Sequence, residues 1–229
     1  MQFAALLIGS YLLGSIPFGV LVARAQNVDI FQVGSGNIGA TNVKRALGWG
    51  WALVVFGFDV AKGALPVWAA KSLLVDHVQE WGIAVGIAAV LGHCLSPWLR
   101  FKGGKGVATT LGMLLALHPW TALTGLAVFL VAAIATRYVS LSSLLAGISL
   151  IPAAYFWGQP TIVVGFLVLL NVFIAYRHKS NIVRLLAGTE PKFNSNSPKG
   201  GEPEQPNEGD AHTDAGKNWM GESIAGKPR

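Results

Sequence analysis

Apolar runs of bilayer length alternate with short polar blocks along most of this chain. Residues 2–24, 49–70, 80–98, 138–157 and 160–176 each read as one apolar run bounded by charge, glycine or proline. A bilayer core of roughly 30 Å takes about 20 such residues per helix, so each run predicts a membrane-spanning helix. The run 106–136 is long enough for one tilted span, but His118-Pro119 divides it into pieces of about 12 and 17 residues. Proline removes a helical donor and clashes with the preceding turn, so one crossing or two short ones are both open to it. From about 193 to 229 the pattern ends, and Gly, Pro, Asn, Lys and Glu replace nearly all aliphatics. Such a segment buries too little apolar surface to offset the entropy of ordering it. The expected organisation is therefore a membrane-embedded domain over 1–192 and a disordered cytoplasmic tail over 193–229.

Composition agrees with this pattern. With 52% hydrophobic and 12% charged residues, the 229-residue chain is too apolar for an ordinary soluble domain. The predicted class is all-α, a polytopic integral membrane protein. The first run ends at Arg24, lacks a cationic leader and shows no small-residue cleavage site, so it reads as an anchor rather than a signal peptide. A net charge of +6 does not point to nucleic acid, because the basic residues fall in short blocks between apolar runs. The single cysteine, Cys94, excludes an internal disulfide framework and reads as a small buried residue.

Charge asymmetry chooses between the two readings of 106–136. If it crosses twice, Arg24, Lys44, Arg45, Arg100, Lys102, Lys105, Arg137, Arg177, Lys179 and Arg184 all fall on one side, and only Lys71 lies opposite. This distribution obeys the positive-inside rule, whereas a single crossing would violate it at the third basic block. Seven helices are therefore expected, with the N-terminus outside and the polar blocks and C-terminus cytoplasmic.

Three blocks carry the candidate chemistry: GSGNIGATNVKRALG at 34–48, RFKGGKGVAT at 100–109 and RHKSNIVRLLAGTE at 177–190. Flexible backbone, neutral donors and cations together make the inventory that surrounds phosphate. In the first, Gly34, Gly36 and Gly39 free the backbone, Ser35, Asn37, Thr41 and Asn42 supply donors, and Arg45 adds a bidentate fork. A helix starting near Ile38 sets Thr41 and Arg45 on one face. In the second, Gly103, Gly104 and Gly106 allow close approach and Lys105 brings charge to a helix start, although the block is not a Walker A sequence. In the third, a helix continuing past the bilayer edge brings His178, Asn181 and Arg184 together beside Arg177. His178 suits phosphate as a cation or a proton as a neutral imidazole. His93 fits either helix packing or the site, and Asp59 and Lys62 within the second run read as a structural ion pair.

In this order between apolar runs, the three blocks resemble the motifs of the acyl-phosphate:glycerol-3-phosphate acyltransferase family, PlsY, and the resemblance extends from GSIPFG at 14–19 to Glu190. It implies a seven-helix bacterial plasma-membrane enzyme with its motifs on the cytoplasmic side. The implied reaction moves a fatty acyl group from acyl phosphate to the 1-position of sn-glycerol 3-phosphate, giving lysophosphatidic acid and inorganic phosphate in phospholipid biosynthesis. A soluble enzyme producing acyl phosphate is then a possible partner, alongside membrane lipid. Motif by motif, Ser35, Arg45, Lys105, His178 and Asn181 are the expected catalytic residues. Gly34, Gly36, Asn37, Gly39, Thr41, Asn42, Gly103, Gly104, Gly106, Arg177 and Arg184 are the expected substrate-binding residues.

The residue chemistry is consistent with such a transfer. Both substrates carry phosphate and acyl phosphate is already an activated anhydride, so proximity and charge stabilisation suffice without a metal, a cofactor or a Ser-His-Asp set. No histidine is followed by the HxxxxD pattern of thioester-dependent acyltransferases. The rival reading, a transporter of an organophosphate or other anion, also uses glycine-rich breaks, but transport sites favour the bilayer midplane whereas these blocks sit at one edge.

Overall fold

The computed structural model describes residues 2–74 and 76–193 of the chain, and they form ten α-helices and two short 3₁₀ turns without a strand. In chain order these are α1 (Gln2–Ser15), α2 (Phe18–Ala25), α3 (Ala40–Leu47), α4 (Trp49–Leu73), α5 (Val78–Cys94), α6 (Val107–Leu117), α7 (Pro119–Thr136), α8 (Val139–Phe156), α9 (Thr161–Arg177) and α10 (Lys179–Leu186). Every expected apolar run is helical over most of its length. Five stretches have the length and hydropathy of a crossing, Gln2–Ala25 among them, and α9 joins α10 across a 66° bend to make a sixth. Of the expected tail, only Phe193 is among the described residues.

Two apolar runs are built differently from simple rods. The first breaks at Ile16-Pro17, where Val20 N–H bonds the Pro17 carbonyl at 2.9 Å instead of the Ile16 carbonyl one turn back. Proline at this position cannot continue the donor ladder, which separates α1 from α2. The second case is α6, only 11 residues long, whose rise of about 16 Å is half a bilayer core. It begins beside the middle of α4 and ends near the same end, because Gly63 of α4 meets Thr109, Gly112 meets Val60, and Lys71 Nζ donates to the Ala116 carbonyl at 2.8 Å. The chain reaches this start by turning back after Leu99. Gly103 and Gly104 N–H donate to the carbonyls of Cys94 and His93, each at 3.1 Å. The second polar block is thereby folded inward along α5, and α6 is short because this loop occupies the remaining height.

Packing follows from small residues at the helix crossings. A Cβ on Gly63 or Gly112 would overlap the opposing backbone, so α4 and α6 approach as closely as helices can. Helix α1 packs on α5, α4 on α5, and α7 on α8. One buried cluster, including Val67, Val85, Met113, Leu114 and Leu167, holds the bundle together, and a second, Val20, Ala23, Ile30, Ile38, Val43 and Val55, seats the first polar block on α2 and α4. Large aliphatics such as Val131, Ile134, Leu169 and Val172 face outward, the arrangement expected where the surrounding medium is lipid.

Candidate active site

The first block folds around Asn42. Its Oδ1 accepts the Ser35 N–H at 3.0 Å and its Nδ2 donates to the Ile30 and Val33 carbonyls at 3.1 and 2.9 Å. Gly34 and Gly36 adopt φ of +55° and +64°, left-handed turns that favour glycine. Asn37 Oδ1 accepts the Gly39 N–H at 2.9 Å, and α3 then starts at Ala40, two residues later than the Ile38 start expected. Thr41 and Arg45 still share a face, one turn apart.

The second block is clamped from α9. Arg177 Nε donates to the Gly104 carbonyl at 3.2 Å and Nη2 to the Gly103 and Gly104 carbonyls at 2.9 and 2.8 Å. Its guanidinium fork therefore holds the loop rather than facing open space. Lys105 leaves this clamped turn and donates through Nζ to Asn181 Oδ1 at 2.5 Å.

The third block bends at His178, which ends α9 and opens α10. Its Nδ1 lies 2.8 Å from the Ile174 carbonyl. A carbonyl oxygen only accepts, so Nδ1 carries the proton and Nε2 of the neutral ring is left as an acceptor. Burial, reinforced by the nearby Lys105, lowers the imidazole to about 4, so it is neutral at ordinary pH. Asn181 Nδ2 donates to Glu190 Oε1 at 2.7 Å, Ser140 Oγ to the same oxygen at 2.6 Å, and Arg184 Nε to Oε2 at 2.8 Å. Burial opposes ionisation of Glu190, but these three donors and the Arg184 charge outweigh it and hold the carboxyl below its usual range.

These elements enclose a cavity of about 740 Å³ lined by Ser35, Asn37, Gly39, Thr41, Asn42, Arg45, Lys105, Gly106, His178, Asn181 and Arg184. All five expected catalytic residues thus meet in one place. Arg45 Nε is buried without a hydrogen-bond partner, and among the described residues neither Arg45 nor Lys105 has a carboxylate within ion-pair distance. Gly34, Gly36, Gly103, Gly104 and Arg177 do not line the cavity. They were expected to bind substrate, and their geometry instead shapes the two loops. Asn42 reaches the wall, but its amide is committed to loop backbone, and Asn181 is committed to Lys105 and Glu190.

The cavity has an apolar side as well. Between α4 and α7 its rim carries Leu53, Leu130 and Ile134, all exposed on the outer surface. Inward it shares Phe56, Val107, Ala108, Phe129 and Ser143 with a smaller pocket of about 110 Å³, whose wall is completed by aliphatics such as Leu111, Leu114 and Leu126.

Sequence reasoning missed Glu190 and Ser140 as site residues. Glu190 is the only acid of its block, and a lone carboxylate beside Arg177, Lys179 and Arg184 was a legible sign of an internal counter-charge. Ser140 lies in an apolar helix start and carried no signal. Phe193, assigned to the tail, is fixed against the first block: Lys44 Nζ donates to its carbonyl at 2.7 Å and lies 3.8 Å from its ring centre.

A family model described as glycerol-3-phosphate acyltransferase matches residues 4–188. The chain belongs to the glycerol-3-phosphate acyltransferase family. It is 48% identical over 188 residues to a glycerol-3-phosphate acyltransferase of Thermus thermophilus, covering 80% of this chain and 92% of that one. Identity to the Aquifex aeolicus glycerol-3-phosphate acyltransferase is 44% over 195 residues, covering 84% of this chain and 100% of the relative. Among solved structures, the glycerol 3-phosphate form of PlsY, an integral membrane glycerol 3-phosphate acyltransferase, superposes with a TM-score of 0.78 at 43% identity, over 84% of this chain and 96% of that one. The lysophosphatidic acid form of PlsY gives 0.77 at 42% identity, over 84% and 95%. The family resemblance read from the three blocks and the all-α multi-pass membrane fold read from the apolar runs are borne out.

Proposed function

We propose that this chain transfers a fatty acyl group from acyl phosphate to the 1-hydroxyl of sn-glycerol 3-phosphate, releasing lysophosphatidic acid and inorganic phosphate, at the cytoplasmic face of a bacterial plasma membrane. The observation that carries this reading is the convergence of Arg45, Lys105 and the Nε2 edge of neutral His178 on one cavity that is polar on one side and opens to apolar surface on the other. A soluble phosphate ester and a lipid-chain phosphate need that combination.

In this reading Arg45 and Lys105 hold phosphate groups, with Ser35 and Thr41 hydroxyls adding neutral donors, and the acyl chain lies along the Leu111, Leu114 and Phe129 wall. The glycerol hydroxyl donates a hydrogen bond to His178 Nε2 and is thereby aimed at the acyl carbonyl carbon. Its oxygen forms the new ester bond, the bond from carbonyl carbon to phosphate oxygen breaks, and the nearby cations stabilise the charge that develops. Burial and the nearby Lys105 disfavour a protonated imidazole. A phosphate oxygen, with its second pKa at about 6, is the better acceptor. The route has no acyl-enzyme. Seven crossings, with the N-terminus outside and the three blocks cytoplasmic, follow from counting α6 as a short crossing under the positive-inside rule.

The test is phosphate release by purified protein in lipid or detergent given palmitoyl phosphate with and without glycerol 3-phosphate, with palmitoyl coenzyme A as a parallel donor. Release requiring both substrates, with lysophosphatidic acid formed and the thioester inert, is expected. Turnover with the thioester, ping-pong kinetics or a trapped acyl-enzyme would refute the mechanism.

A further inference from the structure

Three charged or titratable side chains at and behind the cavity wall have no assigned part in the transfer. Asp59 and Lys62 of α4 and His93 of α5 are 3%, 2% and 5% exposed. Lys62 Nζ is 2.7 Å from Asp59 Oδ1, and Asp59 Oδ1 is 3.7 Å from His93 Nδ1. A plain ion pair would end there, and this cluster continues at both ends.

At one end Lys62 Nζ donates to the Ile16 carbonyl at 2.9 Å. That carbonyl lost its helical donor at the Pro17 break, so Lys62 fixes the joint between α1 and α2. Helix α2 in turn carries the first block, because Gly19 sits against the Ile38 backbone so closely that a Cβ would overlap its oxygen. At the other end, the His93 ring packs against Gly104, where a Cβ would overlap Nε2, while the His93 carbonyl holds the Gly104 N–H. Gly104 immediately precedes Lys105. Lys62, Asp59 and His93 therefore form a buried file between the Pro17 joint under the first block and Gly104 of the second, its Asp59–His93 step a 3.7 Å approach rather than a hydrogen bond, and Asp59 and His93 form part of the cavity wall.

We propose that Lys62, Asp59 and His93 are positioning residues that set the separation between the Arg45 and Lys105 phosphate-binding groups. A buried ion pair is a poor means of stabilising a bundle, since an apolar pair of similar volume does as well or better. Its value here is directional. Rotating the first block requires breaking the Lys62 ammonium's contacts with Asp59 and the Ile16 carbonyl, and rotating the second requires moving Gly104 off the buried His93 ring, so the two cations keep their spacing when the cavity is empty.

The inference rests on the two-phosphate transfer proposed above, and wild-type turnover of palmitoyl phosphate separates the two: its failure would count against the function, not the file. Asp59→Asn and Lys62→Met each leave one partner unpaired and lower both thermal midpoint and activity. The double variant Asp59→Asn/Lys62→Met removes the charge imbalance. Its thermal midpoint in detergent should return to near wild type while kcat/KM for glycerol 3-phosphate stays down at least about tenfold, with KM raised. Full recovery of kcat/KM together with the midpoint would reduce the file to a structural ion pair. His93→Asn gives an independent measurement, since it leaves the Asp59–Lys62 pair intact and withdraws the ring from Gly104. A loss of kcat/KM at an unchanged midpoint is expected, and wild-type kinetics in this variant would overturn the proposal.

Discussion

The Lys105 ammonium donates to Asn181 Oδ1 at 2.5 Å across 76 residues of sequence, joining the second block to the third. Asn181 in turn bonds Glu190, so the cation is aimed by a neutral amide and balanced at one remove by a carboxylate. A direct Lys105–Glu190 pair would quench the charge that phosphate needs. The Asn181→Ala variant should lower kcat/KM for glycerol 3-phosphate by about tenfold to a hundredfold, from a charge-assisted hydrogen bond of ~1.5–3 kcal/mol. Steady-state kinetics at wild-type rates would show that Lys105 needs no such support.

Removing either cation should be more severe. Arg45→Ala and Lys105→Ala are expected to abolish most turnover while leaving the protein inserted, and Lys105→Arg should also impair it because a guanidinium differs in shape and reach. Near-normal turnover by both purified alanine variants would remove the two residues from the site.

The pH dependence has a defined sign. Burial, with Arg184, Arg45 and Arg177 adding to it and Glu190 opposing, lowers Lys105 to about 8. Phosphate is held by the charged form, so kcat/KM for glycerol 3-phosphate should fall as pH rises through that value. Bound phosphate favours the ammonium and should move the limb of kcat to higher pH. His178, at about 4, contributes no limb near neutrality. The comparison to make is wild type against His178→Gln, which should share the alkaline limb. A profile flat well above a pH of about 8 would contradict the role given to Lys105.

Arg177 was expected to bind substrate, and its contacts with the Gly103 and Gly104 carbonyls make it a loop clamp. Lysine keeps the charge but cannot reproduce the fork. Arg177→Lys should therefore reduce kcat/KM by about tenfold or more through displacement of Lys105. Unchanged kinetics in a well-expressed variant would mean that the loop holds its shape without the clamp.

The boundary of the polar tail is also testable. A chain ending at Phe193 keeps the Lys44 contact and should insert and turn over as the full chain does. The Phe193→Ala variant loses the ring against Lys44 and should show activity reduced by about two- to fivefold. Loss of activity in a well-expressed chain ending at Phe193 would assign the tail a catalytic part.

The sequence was most legible where a single local cause acts. Apolar runs became helices, His118-Pro119 became a helix boundary, and Gly34 and Gly36 of GSGNIG took the turns that glycine adopts most easily. Pro17 carried an equally local signal that was read through, because the run on either side of it is uninterrupted in polarity. Assignments inside the site were harder. Asn42, Asn181 and Arg177 carry the same donors as true phosphate ligands, and only their neighbours show that those donors are already used.

Hydropathy and motif order alone determined that this is a multi-helix membrane protein with its glycines, neutral donors and cations gathered in three polar blocks, because bilayer length and donor inventory are properties of contiguous residues. What the tertiary structure decided is which donors remain available. The inward fold of the second block, the Arg177 clamp, the His178 tautomer and the Glu190 counter-charge each depend on a partner brought close by folding, and no pattern along the chain records where that partner will lie.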